Sequence, residues 1–168
     1  CDELEQAGID TEIVQVGGKP LRGCTSCYGC FKNKNRECVI TEDELNDYVK
    51  KMIEADGIII GSPVYFSNVS SETKALIDRA GLVARANDYL FARKVGASVV
   101  AVRRAGATFA FSAINFFFFI QQMMVPGSVY WNLGIGREPG EVQKDEEGIV
   151  TFKTLGRNMA WLIKKLKS

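Results

Sequence analysis

The chain of 168 residues carries 21 Lys and Arg against 20 Asp and Glu, with 46% hydrophobic and 24% charged residues, which is the composition of one globular domain with a substantial core. Its net charge of +1 is spread evenly, leaving no polycationic stretch for nucleic acid or an anionic membrane, and its longest apolar run, Ala113 to Ile120, falls far short of the roughly 20 residues a bilayer demands. The absence of histidine excludes Ser-His-Asp hydrolysis, Cys-His proteolysis and the histidine-bearing metalloprotease motifs, so any difficult chemistry points to a cofactor.

The opening CDELEQAGID has neither an initiator Met nor a signal-peptide pattern. It reads as the end of a helix stopped at Gly8, with the expectation that further chain precedes it. TEIVQV, Thr11 to Val16, alternates apolar and polar residues and predicts a short strand closed by Gly17 and Gly18. A loop then holds four of the five cysteines, with the spacing Cys24-x2-Cys27-x2-Cys30-x7-Cys38. An odd, clustered set in a chain of this size is read as thiols of a reducing cytoplasm rather than disulfide staples.

TEDELNDYVKKMIEADG begins with a capping-box pattern, Thr41 with Glu44, and places Leu45, Tyr48, Val49, Met52 and Ile53 at helical spacing, predicting a helix to about Ala55. GIIIGSP, Gly57 to Pro63, is a β-branched run expected as a central parallel strand covered on both faces. NVSSETKALIDRAGLV offers Ser70 or Ser71 as the N-cap of a further helix, and KVGASVVAVRR reads as a second buried strand. A helix over GATFAFSAINFFFFIQQMM follows, then the breakers Pro126 and Gly127 and a strand at SVYWNL. A polar excursion, GIGREPGEVQKDEEG, precedes a last amphipathic helix expected from about Thr151, with Leu155, Met159, Leu162 and Leu166 on one face.

Strands alternating with helices predict one doubly wound α/β domain over residues 1–168, a parallel sheet between helical layers. In such sheets ligands bind outside the carboxyl ends of the strands, which directs attention to SPVYFSNVSS after the first apolar run and to RRAGA, Arg103 to Ala107, after the second. Tyr65 and Phe66 read equally well as core cover or as a ligand platform, and Arg103 and Arg104 as a solvated helix start or as anion receptors. No strand is followed by Gly-x-Gly-x-x-Gly, so a Rossmann dinucleotide site is not supported, and no Walker motif is present.

ADGIIIGSPVYFSNVSSETKALIDR, KVGASVVAVRRAGA and VYWNLGIG together resemble the flavodoxin-like NAD(P)H-dependent FMN reductases, and among them the iron-sulfur flavoprotein branch, over about Leu4 to Leu166. The most specific pieces are SPVYF, LIDR and the placing of the cysteine cluster. The resemblance implies FMN at the carboxyl edge of a flavodoxin-like sheet, with the loop from Ser62 through Asn68 to Ser70 around the isoalloxazine. Pro63, Val64, Tyr65 and Phe66 would lie along its edge. Arg103, Arg104, Ala105, Gly106 and Ala107 would meet it from the other side. The family's first strand and phosphate-binding loop have no counterpart in this sequence.

The activity implied is an FMN-dependent oxidoreductase that passes electrons from NAD(P)H through FMN to an acceptor, with no protein acid or base needed for hydride transfer. The alternatives are a non-enzymatic electron carrier fed by a redox protein partner, and a flavin-free module whose cysteines hold zinc or sense oxidants. Three overlapping knuckle positions with a distant fourth resemble the way Cys24, Cys27, Cys30 and Cys38 would ligate a [4Fe-4S] cluster, although Cys38 is followed by Val39 and not by the proline of a ferredoxin run. Reduced or disulfide-prone thiols, and zinc, stay open beside that reading. Lys32, Lys34 and Arg36 would offset a cluster's negative charge or stand in a solvated loop. NFFFFIQQMM is apolar around most of a helix circumference, and with the resemblance this suggests a homo-oligomer, a dimer or tetramer, in which Phe116 to Phe119 take part.

Overall fold

A computed structural model describes residues 1–167. Helix α1 spans Asp2–Gln6, and Gly8, at φ +75°, turns the chain out of it. Helix α2, Gly29–Asn33, is a single turn inside the cysteine loop, and α3 spans Leu45–Glu54. Strand β1, Gly57–Pro63, leads into α4, Ser71–Ala86. Strand β2, Val95–Val102, leads into α5, Ala107–Ile120. Strand β3, Leu133–Ile135, is followed by a 3-10 turn at Glu141–Lys144 and by α6, Glu146–Lys167. No helix among the described residues is long and apolar enough to cross a membrane.

The sheet has the order β1-β2-β3 and is wholly parallel, with Gly57 opposite Val95 and Pro63 opposite Ala101, then Val100 opposite Leu133 and Val102 opposite Ile135. Period-two alternation divides each strand between two layers. Ile58, Ile60, Val100 and Val102 pack with α3, α4 and α5 in the larger core, while Val95 and Ala97 pack with Leu4 of α1 and with Leu155, Met159, Ala160 and Ile163 of α6. Close approach of the layers accounts for two strand glycines. A Cβ on Gly96 would stand 2.7 Å from the Phe118 ring, and one on Gly57 would stand 2.6 Å from Met159 Cε. The doubly wound α/β expectation is met, with helices on both faces of a parallel sheet.

Several local expectations are corrected. Thr11–Val16 forms no strand; it runs over the surface, and the alternation of apolar residues is not enough without a neighbouring strand to bond. Among the described residues β1 lies at the edge of the sheet, where the sequence predicts a central strand. Its even face is buried, but α6, with α1 against it, packs on β2 and β3, and Ile59 on the odd face of β1 is 39% exposed. The Thr41/Glu44 capping box does not form. α3 starts at Leu45, whose N–H is bonded 3.3 Å to Asp43 Oδ1, while Glu44 is drawn to Lys19 Nζ at 2.6 Å and to the Tyr48 hydroxyl at 2.7 Å.

The expected strand at SVYWNL is displaced to Leu133–Ile135. Before it Met124 makes an isolated bridge to Val95, and the Pro126-Gly127 interruption breaks the pairing between. The polar stretch that follows is mostly exposed, as expected, but it is folded into a 3-10 turn and α6 begins earlier, at Glu146. Asp145 closes the segment by accepting from Gly148 N at 3.0 Å and from Ile135 N at 2.7 Å.

Candidate functional site

Two loops leave the carboxyl ends of the adjacent strands β1 and β2 and meet. In the first, buried Ser62 accepts from Ser70 N at 2.9 Å and donates to Pro63 O at 2.8 Å, so its hydroxyl fastens both ends of the loop. Val64 N continues the sheet pairing to Ala101 O at 3.0 Å. Tyr65 and Asn68 then exchange backbone bonds of 2.9 and 3.0 Å around Phe66 and Ser67, both at positive φ, and this tight turn throws the Tyr65 and Phe66 rings into solvent. Asn68 Oδ1 accepts from Val69 N, and Ser70 caps α4 by accepting from Thr73 N at 3.3 Å.

The second loop, Arg103 to Ala107, turns into α5 at Gly106, which has φ +85°. There a Cβ would lie 2.6 Å from Ser67 Oγ and 2.8 Å from Ser67 Cα, so only glycine lets the two loops close on each other. Arg104 and Ala105 are exposed, and Ala107 is buried at the first turn of α5. Arg103, also exposed, lines an open cleft of about 530 Å³ with Ile135, Gly136, Arg137, Glu141, Lys144 and Asp145. The product of this arrangement is an aromatic, solvent-facing rim on a rigid glycine-serine contact, suited to a planar ring.

The cysteine loop lies against α3 and α4. Ser26, Tyr28, Lys34 and Arg36 all have positive φ, a curled backbone held by its tethers. Gly29 packs against Val39, where a Cβ would stand 3.0 Å from Cγ2, and this brings α2 to the Cys38 segment. Asn46 clamps Cys38 from both sides, accepting from its N–H at 2.8 Å and donating to its carbonyl at 3.0 Å. Arg36 N bonds Asn87 Oδ1 at 3.0 Å, joining the loop to the end of α4. Cys24, Cys27, Cys30 and Cys38 line one pocket together with Val39, Leu82 and Val83, and Arg79 is the one cation among its lining residues.

Burial is the main reason the Cys30 thiol is pushed up, and its neighbours Cys38 and Cys24 add to it. The exposed Cys27 is pulled down by the N–H of Gly29 and by Thr25. Among the described residues no three of these groups gather tightly enough for one metal ion, which would hold sulfurs about 3.8 Å apart around a tetrahedral zinc. Four thiols thus stand around one largely apolar pocket, with the N–H of Ser26 directed at the Cys24 sulfur at 3.4 Å.

The sequence pattern assigns no role to Arg79, the last residue of LIDR, or to Asp43. Both side chains are almost wholly buried and form an ion pair. The signal was present in the spacing: Leu76, Arg79, Ala80 and Val83 fall on one buried face of α4, where a cation demands a partner.

A family model described as NADPH-dependent FMN reductase matches residues 1–138. The chain belongs to the NADPH-dependent FMN reductase family. This member is 35% identical over 171 residues to an iron-sulfur flavoprotein of Methanocaldococcus jannaschii, an alignment covering 98% of this chain and 86% of that one. A second iron-sulfur flavoprotein of that organism is 31% identical over 92% of this chain and 82% of its own, and one of Methanosarcina thermophila is 29% identical over 92% and 79%. Among solved structures, RosB bound to 8-demethyl-8-formylriboflavin-5'-phosphate superposes with a TM-score of 0.68 at 20% identity, covering 99% of this chain and 71% of that one. A flavone reductase superposes at 0.70 and 16% identity, covering 99% and 56%. At these identities the structures establish the flavodoxin-like fold, while the family match makes this FMN reductase relative an FMN-dependent oxidoreductase.

Proposed function

We propose that this protein takes electrons from NAD(P)H into FMN seated on the rim formed by residues 62–70 and 103–107, and delivers them to an acceptor by way of a [4Fe-4S] cluster on Cys24, Cys27, Cys30 and Cys38. When bound, FMN supplies two-electron acceptance from a nicotinamide and release one electron at a time. The closure of Gly106 onto Ser67 beneath exposed Tyr65 and Phe66 carries the flavin part of this reading. Pro63, Val64, Tyr65 and Phe66 offer an edge for the ring, Ser62 and Ser70 hold that edge still, and Asn68 fixes the turn.

The residues of the two loops bind, orient and exclude water; none is assigned a proton, in keeping with a chain that has no histidine. For the cluster, the four-thiol pocket and the iron-sulfur flavoprotein relatives support the assignment. The outer face of α5 supports assembly into a homo-oligomer, because Phe109, Phe116, Phe119 and Ile120 are exposed along it.

The deciding experiment is the visible spectrum of anaerobically purified, full-length protein with assays of flavin, iron and acid-labile sulfide. Stoichiometric FMN bleached within the mixing time by NADH or NADPH is expected. Bound FMN that neither nucleotide bleaches would replace the enzyme by an electron carrier fed by a protein partner, and protein that binds no added FMN would end the reading.

A further inference from the structure

Arg79 is 1% exposed, and the donors of its guanidinium are distributed over the two ends of the cysteine loop. Nη1 donates to Arg22 O at 3.0 Å, just before Cys24, and also to Asp43; Nη2 donates to Ile40 O at 2.8 Å, just after Cys38. Nε donates to the Cys38 sulfur at 3.4 Å. The first two sets of bonds are a scaffold, closing the loop against α4. The third has no scaffolding need, since the Cys38 backbone is already clamped on both sides by Asn46.

We propose that Arg79 sets the reduction potential of the cluster held at Cys24, Cys27, Cys30 and Cys38, by directing a permanently charged N–H donor at the Cys38 sulfur. This rests on the cluster reading given under the proposed function. Reduction of a thiolate-bound cluster adds one electron, and the extra negative charge is shared with the cysteine sulfurs, so a donor and a positive charge beside one sulfur stabilise the reduced form more than the oxidised form. Arg79 therefore raises the potential. Asp43 neutralises the guanidinium from the Nη1 side, away from the Nε–H that reaches sulfur, so the directed bond survives charge compensation. A guanidinium does not lose its proton in proteins, which makes this a fixed setting and not a pH switch. Lysine, with one nitrogen, cannot reach two carbonyls, a carboxylate and a sulfur at once.

The test is an EPR-monitored potentiometric titration of full-length, anaerobically prepared protein as wild type, as Arg79→Lys and as the double variant Arg79→Gln with Asp43→Asn, which leaves no unpaired buried charge. The flavin potential in the same samples is the internal reference. The expected result is a lower cluster potential in the double variant, by about a tenfold change in the reduced-to-oxidised ratio, equal to about 59 mV for one electron, with a smaller fall in Arg79→Lys and the flavin potential unmoved. If Arg79→Lys does not fold, the double variant decides alone. Cluster-loaded variants with the wild-type potential would overturn the proposal, and so would variants that keep flavin but lose iron, since Arg79 would then be scaffold only. Wild-type protein without iron and sulfide would instead remove the cluster reading, a failure seen without any variant.

Discussion

Gly106 and Ser67 face each other across two loops that leave neighbouring strands, and a methyl group on Gly106 would stand 2.6 Å from Ser67 Oγ and 2.8 Å from Ser67 Cα. Gly106→Ala combines a positive-φ penalty of about 1–2 kcal/mol with a clash that pushes the loops apart. FMN affinity is expected to fall at least about tenfold, the loss of ~1.4 kcal/mol that a displaced rim would bring. Gly140→Ala is the control: Gly140 has φ +83° with nothing within 4 Å of a Cβ, so it bears the strain alone and should leave FMN affinity unchanged. Flavin-fluorescence titrations and urea unfolding of both variants check this. Equal FMN affinity in the two would disconnect the contact from flavin binding.

Phe66 is fully exposed at the tip of the turn and covers no core. Phe66→Ala should therefore change unfolding free energy by no more than about 0.5 kcal/mol, while weakening FMN several-fold through lost contact with the ring. The opposite pattern, stability lost and affinity kept, would mean that the aromatic serves the fold.

Asp43 and Arg79 give a pH prediction. Burial alone would push the Asp43 carboxyl up, but bonds from Arg79 and from the N–H groups of Arg22 and Leu45 outweigh it and hold the group below its ordinary value of 3.8. A depressed folded value means that the unfolded chain binds the proton first. The contribution is thus complete above the unfolded value and is lost as pH falls through the folded one, beginning near about pH 5. Unfolding free energies of wild type should fall more steeply from pH 5 to 3 than those of the Asp43→Asn, Arg79→Gln double variant, by at most about 1.4 kcal/mol per pH unit for one proton. At pH 7 the single Asp43→Asn change, which leaves the guanidinium buried and unpaired, should cost about 3–5 kcal/mol, and the double variant less. Parallel pH profiles would show that the pair does not set acid stability.

Local signals carried most of what could be read before the structure. The β-branched runs became β1 and β2, Ser70 became the α4 cap, and the carboxyl-end loops were found because the parallel sheet fixes where they emerge. What failed needed distant partners. Glu44 had the right spacing for Thr41 but stronger company in Lys19 and Tyr48, and Thr11–Val16 had the right alternation with no strand to bond. Within the site, the nearness of Gly106 to Ser67 and the aim of Arg79 at Cys38 are tertiary facts that no spacing within either segment encodes.

α5 shows both sides of this limit. Its apolar circumference was legible, but which rings face inward was not: Phe117 and Phe118 are buried, whereas Phe109, Phe116, Phe119 and Ile120 face solvent. The buried pair packs ring to ring at 5.5 Å and reaches Phe91 and Gly96, so it belongs to the core. The exposed residues are a separate surface, and removing them should leave the fold intact. Phe116→Ser with Phe119→Ser is expected to keep the far-ultraviolet spectrum and FMN content while shifting the sedimentation coefficient at micromolar concentration from that of an oligomer to that of a monomer. Burial of such rings at about 25 cal/mol per Å² would be an apolar contribution to the proposed contact between copies. Wild type already sedimenting as a monomer, or a variant still oligomeric, would place the association elsewhere or remove it.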